Sequence, residues 1–150
     1  MKFTRNANAN WKGSGKDGKG TLSTESSILN EAQYSFKTRF ENGIGTNPEE
    51  LVGAAHSGCF TMQLSFLLDE KGFLEKDLTT EAKVTFEDGN ISNIHLELVG
   101  SVKGLDKNKW MLLFPAAILG LNIFEAVIRD FQCYGYHGIV DGVFINGGIW

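Results

Sequence analysis

Cys59 closes the stretch GTNPEELVGAAHSGCF, residues 45–60, three residues after His56. A cysteine reacts as its thiolate, and near neutral pH the thiolate needs a cation or hydrogen-bond donor beside it. Without one, a cysteine among apolar residues is a small hydrophobe. His56 sits one helical turn earlier and could form a Cys–His pair for a hydrolase, but the sequence offers no third residue to orient the imidazole. Two ligands do not make a zinc site, so no metal is expected. Arg39 is the stronger cation. It ends a strand-like run of Phe, Thr and Lys, and if buried it requires a carboxylate. Glu49 is the nearest candidate. On one helix, Glu49 and Cys59 are ten residues apart, about 15 Å along the axis. If they share a site, the simplest arrangement brings Glu49 from a second subunit, giving a two-fold dimer with composite sites.

These residues need a helix and a sheet to hold them. Asn47 is a good N-cap, Pro48 fits the first helical position, and Glu50 follows the cap by three residues as in a capping box. Val52, Ala55, Cys59, Met62 and Phe66 recur at three- and four-residue spacing and predict one buried apolar face. Gly72 is the natural stop, so the expected helix runs from about 48 to 71. Upstream, WKGSGKDGKG is a Gly- and Lys-rich turn between short strands, and QYSFKTRF alternates like a strand. Residues 8–40 thus predict a small antiparallel sheet. Downstream, TEAKVTFED places Val84 and Phe86 on one face. NIHLELVG places Ile94, Leu96 and Leu98 on one face and His95 and Glu97 on the other. The turn between these strands is DGN, residues 88–90.

The chain has 150 residues, enough for one domain with a real core, and residues 1–150 are read as a single domain. Its net charge of −4 gives no basic stripe for nucleic acid. The start, MKFTRNANANWKG, has no apolar run of the secretory type. With only two cysteines, this predicts a reducing, cytoplasmic setting. The tail differs in character. Residues 110–150 hold four charged side chains, Glu125, Arg129, Asp130 and Asp141, and eight of the 17 aromatics. The uncharged stretch WMLLFPAAILGLNIF, residues 110–124, is shorter than a membrane span and interrupted by Pro115, so it reads as a buried segment and no membrane is expected. A final strand is expected over GIVDGVFING.

WKGSGKDGKGTLSTESSILN, FKTRFENGIGTNPEELVGAAHSGCFTMQLS and LLDEKGF closely resemble the OsmC family, the osmotically inducible protein C and its relatives. The resemblance covers residues 8–109, and it looks closer to the OsmC branch than to the organic hydroperoxide resistance branch. It implies an α+β fold: an intertwined homodimer with antiparallel sheets around long central helices. It also implies a thiol-dependent peroxidase that reduces organic hydroperoxides in oxidative or osmotic stress, with an external thiol or dithiol reductant and no cofactor. By the same resemblance Cys59 matches the peroxidatic cysteine, Arg39 its activating arginine and Glu49 the carboxylate that orients the arginine. The tail departs from the family. A resolving cysteine in a CPVS-like motif should fall near Leu121, where the sequence reads AILGLNIF; Cys133 comes about twelve residues later. A binding or stress protein that has lost turnover through this tail is one alternative function, and a Cys–His hydrolase using His56 is another.

Overall fold

The computed structural model describes residues 2–41, 43–105, 136–140 and 143–147, the last two stretches as backbone. The chain divides into two compact units, residues 1–51 and 52–150. The segment 110–124 and Cys133 lie outside the described residues.

In the first unit the Gly-rich turn does what its composition predicts. Strands β1 (Ala7–Lys12) and β2 (Lys19–Thr24) pair antiparallel across it, and β3 (Ala32–Tyr34) pairs antiparallel with β2. Trp11 packs on Tyr34 with ring centroids 5.3 Å apart. Gly20 makes room for that aromatic: a Cβ there would lie 2.2 Å from the Tyr34 ring.

The expected strand through QYSFKTRF stops at Tyr34, and Lys37–Arg39 form a 3₁₀ turn instead. Ser35 and Thr38 account for the change. The Ser35 N–H donates to Thr38 Oγ1 at 3.1 Å and the Thr38 N–H donates to Ser35 Oγ at 3.2 Å. Short hydroxyl side chains that bond nearby backbone compete with a sheet ladder, and here they win.

Helix α1 (Pro48–Glu70) begins where its cap predicts. Asn47 Oδ1 accepts from the Glu50 N–H at 2.8 Å. The Glu50 carboxylate accepts from the Thr46 hydroxyl at 3.1 Å, so it braces the residue before the cap. The helix ends in a Schellman arrangement. Gly72, at φ +86°, donates to Asp69 O at 2.9 Å, and Phe73 donates to Leu68 O at 2.9 Å.

In the second unit β4 (Lys76–Glu87) and β5 (Asn90–Val102) form a long antiparallel hairpin. Its two-residue turn, Asp88–Gly89, has both φ angles positive, 49° and 86°, as a type I′ turn requires. One bulge falls between Thr85 and Phe86. The expected final strand is two strands, β6 (Tyr136–Val140) and β7 (Val143–Gly147), paired antiparallel, with β6 running parallel to β5.

Phe60, Leu64 and Leu68 of α1 and Ile94, Leu96, Leu98 and Val102 of β5 form the buried core of this unit. A second tie is the hydrogen bond of 2.7 Å between Thr61 on α1 and Thr80 on β4. The buried face of α1 is therefore Gly53, His56, Phe60, Leu64 and Leu68, not the predicted stripe through Cys59. On that stripe Ala55 is exposed, Met62 is 55% exposed and Phe66 is 56% exposed, while Val52 and Cys59 are half-buried. The helix carries apolar residues around most of its circumference, so three- and four-residue spacing fits more than one face. The same property makes α1 long and apolar enough to cross a membrane by length and composition, although one face packs on β5.

His56 lies on the core face, 3% exposed, and burial lowers its pKa from 6.5 by disfavouring the charged form. The unfolded chain therefore takes up a proton near pH 6.5 that the folded chain resists. Stability from this group is complete above about pH 6.5 and declines as pH falls below it. Urea unfolding between pH 7.5 and 5 should show stability falling as the pH drops, with a slope from this one group that stays below the one-proton limit of about 1.4 kcal/mol per pH unit. His56→Gln should remove that part of the slope. Identical pH slopes in the two proteins would show that His56 is not the responsible group.

Candidate active site

The loop leading into α1 is built to hold one ion pair. The Thr38 hydroxyl donates to Ser35 O at 2.8 Å and lies 2.9 Å from Thr46 O. Asn47, whose oxygen caps α1, uses its amide nitrogen to donate to Thr38 O at 3.0 Å. The Thr46 N–H donates to Gln33 O at 2.9 Å, tying the loop to β3. One asparagine thus joins the 3₁₀ turn carrying Arg39 to the helix start carrying Glu49. Arg39 Nε lies 3.3 Å from Glu49 Oε1, with side-chain exposures of 31% and 14%. Glu49 Oε2 is buried and has no hydrogen-bond partner among the described residues. Beside the pair is a cavity of about 330 Å³ lined by Thr38, Arg39, Phe40, Glu41, Asn47 and Glu50 among others. A partly desolvated guanidinium held by a carboxylate has its donors fixed in direction, an arrangement suited to orienting a polar or anionic partner.

Arg39 and Glu49 are thus brought together within one chain. Arg39 sits on a 3₁₀ turn, not at the end of the expected strand. Cys59 lies ten residues beyond Glu49 on α1, a half-buried free thiol packed against the core cluster of its own unit. Its outward neighbours on the helix are the exposed Ala55, Met62 and Phe66. His56 points to the core, and burial favours its neutral form, so it offers no positive charge to a thiolate near neutral pH. Among the described residues, no group of three or more His, Cys, Asp or Glu side chains could hold a metal ion.

Two features of this region escape the sequence reading. Thr38 and Asn47 organise the loop, yet only the capping role of Asn47 is legible in the sequence. The paired Ser35 and Thr38, separated like a capping box, are the signal that could have located the 3₁₀ turn. Met62 and Phe66 were expected in the core and instead form exposed apolar surface near Cys59.

The profile of a family described as OsmC-like protein matches residues 40–114. A second profile, of a family of unknown function (DUF5692), matches residues 88–150, so the two overlap on β5. Among solved structures, the organic hydroperoxide resistance protein OhrB of Bacillus subtilis has TM-score 0.59 and 23% identity, covering 90% of this chain and 96% of its own. An organic hydroperoxide resistance protein from Elizabethkingia anophelis has TM-score 0.62 and 21% identity, covering 95% and 100%. These two likenesses establish the OsmC-like α+β fold. Peroxiredoxin OsmC of Escherichia coli (strain K12) is 46% identical over 131 residues, which is 85% of this chain and 92% of that protein. With that identity across most of both sequences, and a family profile spanning half the chain, this protein belongs to the OsmC-like family.

Proposed function

We propose that the protein is a thiol peroxidase that reduces organic hydroperoxides to alcohols at Cys59, with Arg39 and Glu49 as its other site residues. The observation that carries this reading is the Arg39–Glu49 ion pair, held at the start of the helix that bears a free thiol. It is supported by the 46% identity to a protein named peroxiredoxin OsmC and by the organic hydroperoxide resistance proteins of like fold. In the first half-reaction the Arg39 guanidinium stabilises the Cys59 thiolate and aligns the peroxide oxygens. The thiolate sulfur attacks the distal oxygen. An S–O bond forms, the O–O bond breaks, and the alkoxide leaves with a proton as the alcohol. Cysteine is oxidised to the sulfenic acid as the peroxide is reduced. Two thiol equivalents from an external reductant then return it to the thiol, giving a disulfide and water. A reducing compartment such as the cytoplasm would keep that reductant available. The exposed apolar surface of Ala55, Met62 and Phe66 suits an organic peroxide better than hydrogen peroxide.

The test is consumption of cumene hydroperoxide with dithiothreitol as reductant. Cys59→Ser should lower the rate by more than about a hundredfold, because the nucleophile is gone. Undiminished turnover in that variant would remove Cys59 from the chemistry. A wild-type protein that consumes no peroxide would favour the non-catalytic alternative.

We further propose a two-fold homodimer in which the Arg39–Glu49 pair of one chain serves Cys59 of the other. The helical rise sets Glu49 and Cys59 about 15 Å apart along α1, which favours a site shared between chains. The inactive variants Glu49→Gln and Cys59→Ser should then complement when mixed. Half of the dimers would be hybrids with one of two sites intact, restoring about a quarter of full activity. No recovery after subunit exchange, shown by native mass spectrometry, would place each site within one chain.

The second half-reaction turns on Cys133. A disulfide with Cys59 needs the two Cα atoms within about 7 Å. The sequence around Cys133, FQCYGYHG, lacks the motif that resembles a resolving site. Stoichiometric cumene hydroperoxide should therefore leave Cys59 mainly as sulfenic acid, and excess should drive it to sulfinic acid. Peptide mass spectrometry without reductant reads the outcome. A dominant Cys59–Cys133 disulfide, absent in Cys133→Ser, would instead make Cys133 the resolving residue.

A further inference from the structure

A groove of about 390 Å³ runs between α1 and β4, lined by Gly58, Thr61, Met62 and Ser65 of the helix and Lys76 and Leu78 of the strand. It belongs wholly to the second unit. Two of its polar lining groups are already engaged. Lys76 is ion-paired with Asp69 and donates to Phe73 O at 3.3 Å, so its charge is already engaged. The hydroxyl of Thr61 is 2.7 Å from that of Thr80. Among the described residues, the large apolar side chains on the two walls are Met62 and Leu78.

Cys59 does not line this groove; Met62 lies between the two. At about 100° per residue, Met62 is rotated about 60° from Cys59 around the helix and lies one turn further along. Side chains three apart on a helix are surface neighbours, with Cβ atoms about 5–6 Å apart. Long helical side chains also lean towards the helix N-terminus, which in Met62 is the direction of Cys59. Gly58, on the near wall, has nothing among the described residues within 4 Å of where a Cβ would stand. The surface between thiol and groove is therefore low at Gly58 and walled by one flexible, polarizable side chain that is 55% exposed.

Resting on the peroxidase reading above, we propose that Met62 is the specificity-determining residue for the alkyl portion of the hydroperoxide. The alkyl group lies against Met62 and enters the α1–β4 groove towards Leu78, while the peroxide oxygens meet Cys59. Selectivity then grows with the size of the apolar group that the walls can cover, and a peroxide without one gains nothing from the groove.

The experiment compares kcat/KM for cumene hydroperoxide and for tert-butyl hydroperoxide in the full-length protein and in Met62→Ala, Met62→Leu and Leu78→Ala. The Met62→Ala change should lower the cumene-to-tert-butyl ratio by about fivefold, mainly through a higher KM for the larger peroxide, as expected when a partly covered apolar wall is lost. Met62→Leu, close in volume, should keep most of the ratio. Leu78→Ala should lower it in the same direction, although Leu78 is on another element and makes no helical neighbour of the thiol. A ratio unchanged in both alanine variants, with either rate altered or not, would overturn the assignment. So would a ratio that moves only in Met62→Ala, since that would mark a local effect on Cys59 and not a groove. If the wild-type protein consumes neither peroxide, the peroxidase reading itself fails, and this assignment with it.

Discussion

A 23-residue helix with apolar side chains around most of its girth sets the terms for this protein. Such a helix must be covered, and β5 covers one face through Phe60, Leu64 and Leu68. Burying a side chain of this size stabilises by about 1.5–3 kcal/mol. Those three residues therefore outweigh the modest helix penalties of the Gly53, Ser57 and Gly58 positions nearby. Where the cover ends, Cys59 begins: half-buried, with its backbone fixed by the helix and Met62 and Phe66 exposed beyond it. The rigidity that locates the thiol comes from packing on the other face. A loop could offer the same exposure but not the same constancy of position.

The polar junction at the other end of the helix follows a different logic. Removing an arginine and a glutamate partly from water costs free energy, and their mutual attraction offsets that only when the geometry is held. The holding groups here are neutral. Asn47 bonds both to the helix start and to Thr38 O, and Thr38 bonds to both Ser35 and Thr46. A long, flexible arginine would otherwise lose rotamer entropy in forming the pair, so a scaffold that fixes its backbone reduces what the contact must overcome. Glu49 also lies in the first turn of α1, where a carboxylate favours the helix dipole. The same carboxylate serves helix and arginine, so its position in the sequence alone does not distinguish the two roles.

Legibility in the sequence followed locality. The turn at Asp88–Gly89, the cap at Asn47 and the stop at Gly72 are each decided within a few residues, and each was readable. The cross-strand pattern of Ile94, Leu96 and Leu98 was readable because period-two alternation admits only two faces. The buried face of α1 was not, because a helix apolar on several sides leaves its orientation to whatever packs against it. The strand expected through QYSFKTRF fails to form for a related reason. Its alternation was real, but two hydroxyl side chains offered the backbone nearer partners than a neighbouring strand did. Arg39 and Glu49 were legible as types that need each other. The loop that joins them was not, since its bonds run between residues up to a dozen or so apart, such as Gln33 and Thr46.

The two family profiles overlap on β5, a strand that supplies much of the core beneath α1. The residues proposed for the first half-reaction, Arg39, Glu49 and Cys59, all precede that overlap. The groove beside Met62 is likewise formed by α1 and the start of β4. On the proposed reading, the residues for that half-reaction and its apolar wall therefore all lie within the first 78 positions. Reduction of the oxidised thiol is a separate demand, because it needs a second sulfur from somewhere. A chain that keeps the first set of residues and changes the second can retain attack on the peroxide while handing its regeneration to an external thiol. The division is physical: O–O cleavage depends on groups fixed within a few ångströms, whereas a diffusing reductant needs only access to the sulfur.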